Sequence, residues 1–251
     1  LGVIPDVSDF GLNVDAAVNA IRDCGIDKNQ IDGIATTLRP AALANYLGII
    51  PKWVDNTQVG GTSYLIHVRH AVAAIASGLA TTVLCVMGAS GRSRVGVPPR
   101  PGGGDGRPSG PGLGDSNYPD QFESPYGPNG PTTLFGMGVL RYMKETGTTL
   151  EQLASVSVAQ RKWSQKVPRA MFRDLVTIDD VLASRMVCYP FSLLMCCLVT
   201  DGGGAFVITS TDRARDFPTK PVYILGTGES VESPIVSYMN DQTSSAAFKT
   251  A

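Results

Sequence analysis

Val54-Asp55-Asn56-Thr57-Gln58-Val59-Gly60-Gly61-Thr62-Ser63 runs on as Tyr64-Leu65-Ile66-His67-Val68-Arg69-His70-Ala71-Val72-Ala73-Ala74-Ile75-Ala76-Ser77-Gly78. After Leu79 and Ala80 it closes on Thr81-Thr82-Val83-Leu84-Cys85-Val86-Met87. The passage reads as strand, glycine turn, helix, strand. Leu65, Val68, Val72, Ile75 and Leu79 recur at helical spacing. Ala71, Ala73, Ala74 and Ala76 leave little polar face after His70, which predicts a helix over Thr62–Ser77 covered on most sides. Gly78 is a natural stop. Val83–Met87 is apolar and β-prone, as in a strand covered on both faces. Val54–Gln58 and Thr81–Met87 are expected as neighbouring strands of one mixed sheet.

Gly60 and Gly61 let backbone approach a ligand closely, and Thr62 or Ser63 can cap the helix. A helix start carries unpaired N–H groups and partial positive charge, suited to an oxyanion, a thiolate or a phosphate. A packing turn without a ligand is the other reading of the same residues.

Working outward, the 251 residues have 43% hydrophobic and 17% charged side chains, a globular balance. A net charge of -1 gives no general attraction to nucleic acid or to an anionic membrane. No apolar run has the length of a membrane span. Five cysteines without a disulfide framework suit a reducing compartment, the cytoplasm, with Cys85 an inert thiol inside a strand. His67 and His70 are the only histidines and lack the carboxylate or thiolate of a zinc site, so no metal is expected. His70 reads as a satisfied buried histidine. Cys196 and Cys197 have no activating histidine close in sequence and read first as core residues.

Asn13 is the expected cap of a helix to Cys24, and Gly33–Thr37 a strand. Pro40 begins a helix to Leu47. From Gly91 to Pro131 about half the residues are glycine or proline, with Arg92, Arg94, Arg100 and Arg107 among them, as in a long mobile loop. A helix follows around Leu134–Met143. Thr149 with Gln152 and Thr177 with Asp180 form capping boxes for two more. Phe206–Ser210 and Val222–Gly228 read as strands, and a last helix is expected near Ser244.

The passage resembles the thiolase superfamily, and within it the sterol carrier protein x-type thiolases and thiolase-like lipid-transfer proteins. Members carry a nucleophilic cysteine in Cys-x-Ser-Gly at the start of the same helix. Counting seventeen residues back from Gly78 puts that position at Gly61, in Gly61-Thr62-Ser63-Tyr64. A second likeness is Cys197-Leu198-Val199-Thr200-Asp201-Gly202-Gly203-Gly204-Ala205, similar to the family's Ser-Gly-x-Asn-Asp-Gly-Ala-Ala-Ala. Cys197 stands where a serine contacts the pantetheine arm, and Met137-Gly138 matches a Met-Gly pair lining the acyl pocket.

The resemblance implies an α/β fold: the N-terminal half of a thiolase, a mixed five-stranded sheet layered with helices, plus a loop domain. It divides the chain into a first core part at 1–90, a loop domain at 91–184, remaining core strands at 185–228 and a linker at 229–251. It implies a coenzyme A thioester as substrate, with no covalently bound cofactor. Substrate contacts fall on Gly60, Gly61, Thr62, Met137, Gly138 and Cys197, and nucleotide phosphates on Arg92, Arg94 and Arg100. No catalytic residue is identified in this chain. The family's histidine and second cysteine belong to the other half, so the chain reads as a cropped or split thiolase. Partners implied are a second copy through the edge strand near Trp53–Gln58 and a small OB-fold subunit. The expected activity is retro-aldol cleavage of a β-hydroxyacyl-CoA, as in steroid side-chain degradation. A non-catalytic acyl-CoA or lipid carrier and a conventional acetyl-CoA acetyltransferase remain alternatives.

Overall fold

The computed structural model describes residues 2–96, 126, 131–233 and 238–243. They fall into two units. The first, built from residues 2–96 and 199–229, contains a four-stranded mixed sheet. Its elements are α1 (Asp9–Cys24), β1 (Gly33–Thr36), α2 (Pro40–Leu47), β2 (Trp53–Asp55), α3 (Ser63–Ala76), β3 (Thr82–Ser90) and β6 (Asp201–Thr209). The strand order is β2-β1-β3-β6. β1 pairs parallel with β2 and β3, and β3 pairs antiparallel with β6 over their full lengths.

Alternation along the two central strands builds the core. Ile34, Leu84 and Val86 face a cluster with Ala17 and Ala20 of α1 and Leu43 and Leu47 of α2. Ala35, Val83 and Cys85 face the opposite cluster with Ala71 of α3 and Ile208. The sheet is therefore sandwiched between α1 with α2 on one face and α3 on the other, which is why β1 and the first half of β3 are buried throughout.

α1 sits unusually low on β3 and β6. A Cβ added at Gly203 would meet Gly88 Cα, Leu12 O and Met87 O, each at 3.1 Å, all backbone. A Cβ at Gly204 would meet nothing within 4 Å. Gly203→Ala is therefore expected to cost about 1–3 kcal/mol through overpacking, and Gly204→Ala to stay within about 0.5 kcal/mol. Urea unfolding of the two variants checks this contrast.

The second unit contains α4 (Pro131–Thr146), α5 (Leu150–Ser164), α6 (Ile178–Ala183) and the hairpin β4 (Met186–Cys188) with β5 (Phe191–Ser192). Both expected capping boxes are formed, at Thr149–Gln152 and Thr177–Asp180. Ala154 and Val181 are fully buried.

Several expectations are corrected. β2 and β3 are not neighbours; β1 lies between them, and the strand expected at Val54–Gln58 is Trp53–Asp55. Ser8, not Asn13, caps α1: its hydroxyl accepts the Gly11 N–H, while buried Asn13 donates to Gly88 O at 2.8 Å. α3 is not covered on most sides. Ser63, His67, Ala71 and Ala74 are buried, but Leu65 is 56% exposed, since the described residues cover only one face. Val222–Gly228 forms no strand, and Val222 and Leu225 are exposed. Four strands, not five, form the described main sheet. The expected helix near Ser244 and most of the glycine-proline stretch, residues 97–125 and 127–130, lie outside the described residues. No described helix is long and apolar enough to cross a membrane.

Candidate active site

Gly60 adopts φ +88°, the left-handed region that glycine tolerates. It turns the chain from β2 into α3. Buried Ser63 fixes the turn: its Oγ accepts the Val59 N–H at 2.9 Å. Its proton has Gln58 Oε1 at 2.8 Å and Gly60 O at 2.7 Å as alternative acceptors. Thr62 stands at the helix boundary but makes no side-chain cap, which corrects that expectation. Among the described residues, the Gly61 and Thr62 N–H groups have no hydrogen-bond partner, and both residues are exposed. Two free N–H groups at the positive end of a fourteen-residue helix suit an oxyanion.

Gly61 itself lies outside the left-handed region, and a Cβ there would meet nothing within 4 Å. Neither backbone conformation nor packing against described residues requires glycine at this position.

His70 has a hydrogen-bond partner, as expected, but it is not the buried histidine. His67 is the fully buried one; its Nε2 lies 2.9 Å from the Thr57 carbonyl and ties the loop to α3. His70 is partly exposed. Its Nδ1 is 2.7 Å from Asp55 Oδ2 and its Nε2 3.5 Å from Glu229 Oε2. Burial works against ionisation of Asp55, but the Thr57 hydroxyl, His70 and the Thr57 N–H outweigh it and hold the carboxyl below its ordinary range. No group of three metal-ligating side chains occurs among the described residues.

Asp201, in the sequence only one letter of a motif, is a structural centre. It is fully buried and accepts from Ile4 N at 2.7 Å, Arg92 N at 2.8 Å, Ser93 N at 2.9 Å and Ser93 Oγ at 2.6 Å. Burial alone would raise its pKa; the donated hydrogen bonds lower it far below the ordinary value. The one cue in sequence is an isolated acid at the head of a glycine-rich strand.

Gly60, Gly61, Thr62, Arg92 and Arg94 belong to the first unit, and Met137, Gly138 and Cys197 to the second. Arg100 lies outside the described residues. Arg94 adopts φ 54° and donates its N–H to Ser90 O at 2.6 Å. Gly138 is buried in α4, Met137 is 40% exposed and Cys197 is exposed. Burial, with the neighbouring Cys197, pushes the Cys196 thiol up, and its Sγ points to Ser192 O at 3.4 Å. Burial pushes Cys85 up to about 12. Neither thiol is set up as a nucleophile. Two clefts in the first unit, about 510 Å³ beside Ser8, Phe10 and Arg39 and about 370 Å³ beside Trp53, Asp55 and His70, do not include the glycine turn.

No protein-family model matches the chain. It is 34% identical over 229 residues to a steroid side-chain-cleaving aldolase of Thermomonospora curvata, covering 88% of this chain and 57% of that protein. It is 32% identical over 223 residues to the 17-hydroxy-3-oxo-4-pregnene-20-carboxyl-CoA lyase of Mycobacterium tuberculosis, covering 86% and 56%. Among solved structures, the Ltp2-ChsH2(DUF35) aldolase superposes with TM-score 0.82 at 30% identity, over 95% of this chain and 61% of that one. The chain thus spans a little over half the length of the curated relatives it matches. An SCP2-thiolase-like protein of Mycobacterium smegmatis also superposes, with TM-score 0.71 at 20% identity over 98% of this chain and 52% of that one, and with these relatives the chain belongs to the thiolase superfamily.

Proposed function

We propose that the protein containing this chain cleaves a β-hydroxyacyl-CoA by a retro-aldol step, with a steroid side chain as the acyl group. The observation that carries this reading is Gly61, an open, sterically unforced glycine at the helix start where thiolases hold their nucleophile. A retro-Claisen cleavage needs a thiolate to attack the β-ketone and carry the acyl group. A retro-aldol cleavage needs none. A base takes the β-hydroxyl proton, the Cα–Cβ bond breaks, Cβ becomes a carbonyl, and the electron pair enters the thioester as an enolate that is then protonated at Cα. The Gly61 and Thr62 N–H groups supply donors for that enolate oxygen, each such donor being worth about 3–4 kcal/mol when well placed. The missing side chain leaves room for a bulky β-substituent. The names of the aldolase and CoA-lyase relatives support the same chemistry. The base is assigned to the further length that those relatives possess.

Substrate contacts are assigned to Gly60, Gly61, Thr62, Met137, Gly138 and Cys197, and nucleotide phosphates to Arg92, Arg94 and Arg100. The protein is proposed to work in the cytoplasm with a small partner subunit, as the two-component name of the solved aldolase suggests. It is also proposed to form a homodimer along β2, whose outer edge is unpaired among the described residues. A light-scattering mass of two copies checks the dimer, and a mass of one copy removes it.

The reaction is tested with the full-length protein and its partner, given β-hydroxyacyl and β-ketoacyl thioesters. Turnover of the hydroxy ester alone is expected, with no acyl group on Cys196 or Cys197 by mass spectrometry. Acylation of either cysteine during turnover of the keto ester refutes the reading. No turnover of either ester indicates a carrier.

A further inference from the structure

The end of α5 and the loop after it form a patch that the proposed cleavage does not use. Arg161-Lys162-Trp163-Ser164-Gln165-Lys166-Val167-Pro168-Arg169-Ala170-Met171-Phe172-Arg173 holds five cations and no carboxylate, although the whole chain has a net charge of -1. The loop folds back on the helix: Ser164 Oγ donates to Phe172 O at 2.8 Å and Arg173 Nη2 to Gln165 O at 3.2 Å. Arg161 lies 5.0 Å over the Phe172 ring and Lys166 4.9 Å over the Trp163 ring. Cations and rings are therefore one surface. Among the described residues, none of the five cations has a carboxylate within ion-pair distance.

The patch is also apolar in an uncommon way. Trp163 is 70% exposed, and Val167, Met171 and Phe172 are exposed beside it. Solvated charge explains the arginines and lysines but not three aliphatic or aromatic tips and a tryptophan held among them. Cations around protruding apolar side chains match an anionic lipid surface: tips enter the acyl boundary, an indole sits at headgroup depth, and ammonium and guanidinium groups meet lipid phosphates. An acidic protein face with apolar pockets would also receive these side chains; five cations spread around the tips favour the continuous charge of a lipid surface, and absence of vesicle binding would point to the protein face.

We propose that this patch docks the protein reversibly on anionic membranes. Docking does not depend on the proposed cleavage, and its test does not measure activity.

The full-length protein with its partner subunit is sedimented with vesicles of phosphatidylcholine, with or without phosphatidylglycerol. Binding is expected only to the anionic vesicles and should weaken with salt. The triple variant Lys162→Glu, Lys166→Glu, Arg169→Glu is expected to lower partitioning by on the order of a hundredfold, since each surface cation contributes about fivefold. Trp163→Ala should remove most of the fluorescence quenching by brominated lipid while circular dichroism stays unchanged. Equal binding to neutral and anionic vesicles, or parental binding by the triple variant, overturns the proposal. So does absence of vesicle binding. If adenosine 3′,5′-bisphosphate then binds and is lost in the triple variant, the patch is a nucleotide subsite; if it does not bind, the face is covered in the assembled protein.

Discussion

Gly61→Cys in the full-length protein is expected to fold normally, to label quickly with iodoacetamide, and to suppress the proposed aldol cleavage. Folding should change by no more than about 0.5 kcal/mol, because the new Cβ meets nothing within 4 Å and the backbone is already outside the left-handed region. Labelling should be fast because the thiol would stand at the start of α3 beside two unpaired N–H groups, which favour the thiolate. Cleavage should fall roughly 10- to 200-fold, the usual penalty for one unwanted group set against a bound substrate. Peptide mass spectrometry separates label on the introduced thiol from label on exposed Cys197, and steady-state kinetics gives the rest. Unchanged turnover with the introduced thiol fully labelled would show that the substrate does not pass this turn.

Asp201→Asn is expected to cause a large fall in the unfolding midpoint and to open the chain to protease near Arg92. The carboxylate collects three backbone N–H groups and one hydroxyl in a fully buried position. An amide that presents its NH2 to one of these donors leaves that donor unsatisfied. The folded-state pKa lies below the unfolded value. The associated stability is therefore fully present above the ordinary aspartate pKa of about 4, and is lost as pH falls through the lower folded value. The gap in unfolding midpoint between parent and variant should narrow once pH drops below about 4. A gap that stays constant through that range would contradict the assignment.

Local chemistry made much of this legible. Thr149–Gln152 and Thr177–Asp180 cap helices because their spacing alone satisfies the exposed N–H groups. Gly25, Gly48 and Gly78 end or follow helices with positive φ, as only glycine does readily. What failed was set by tertiary structure. The order β2-β1-β3 depends on parallel crossovers, which sequence proximity does not encode. Asn13 lost the capping role because its amide is used against Gly88. His67 rather than His70 is the buried histidine because the docking of α3, rather than its alanine content, chose the buried face. Gly61 could be located by counting, whereas its open surroundings could only be seen in coordinates.

The glycine-to-glycine contact under α1 has a mechanical consequence. Most helices rest on side chains, whose rotamers act as a soft bearing and let the helix slide by an ångström or so. α1 rests on the main chain of β3 and β6, and Asn13 pins it there through Gly88 O. Asp9 fastens its first turn to the Ser90 N–H and hydroxyl. Helix and strands therefore form a stiff plate that reaches Ser90. Asp201 of β6 carries the plate past Ser90 by holding the Arg92 and Ser93 N–H groups, so a load reaching it from beyond Ser93 would tilt it as a whole rather than shear it.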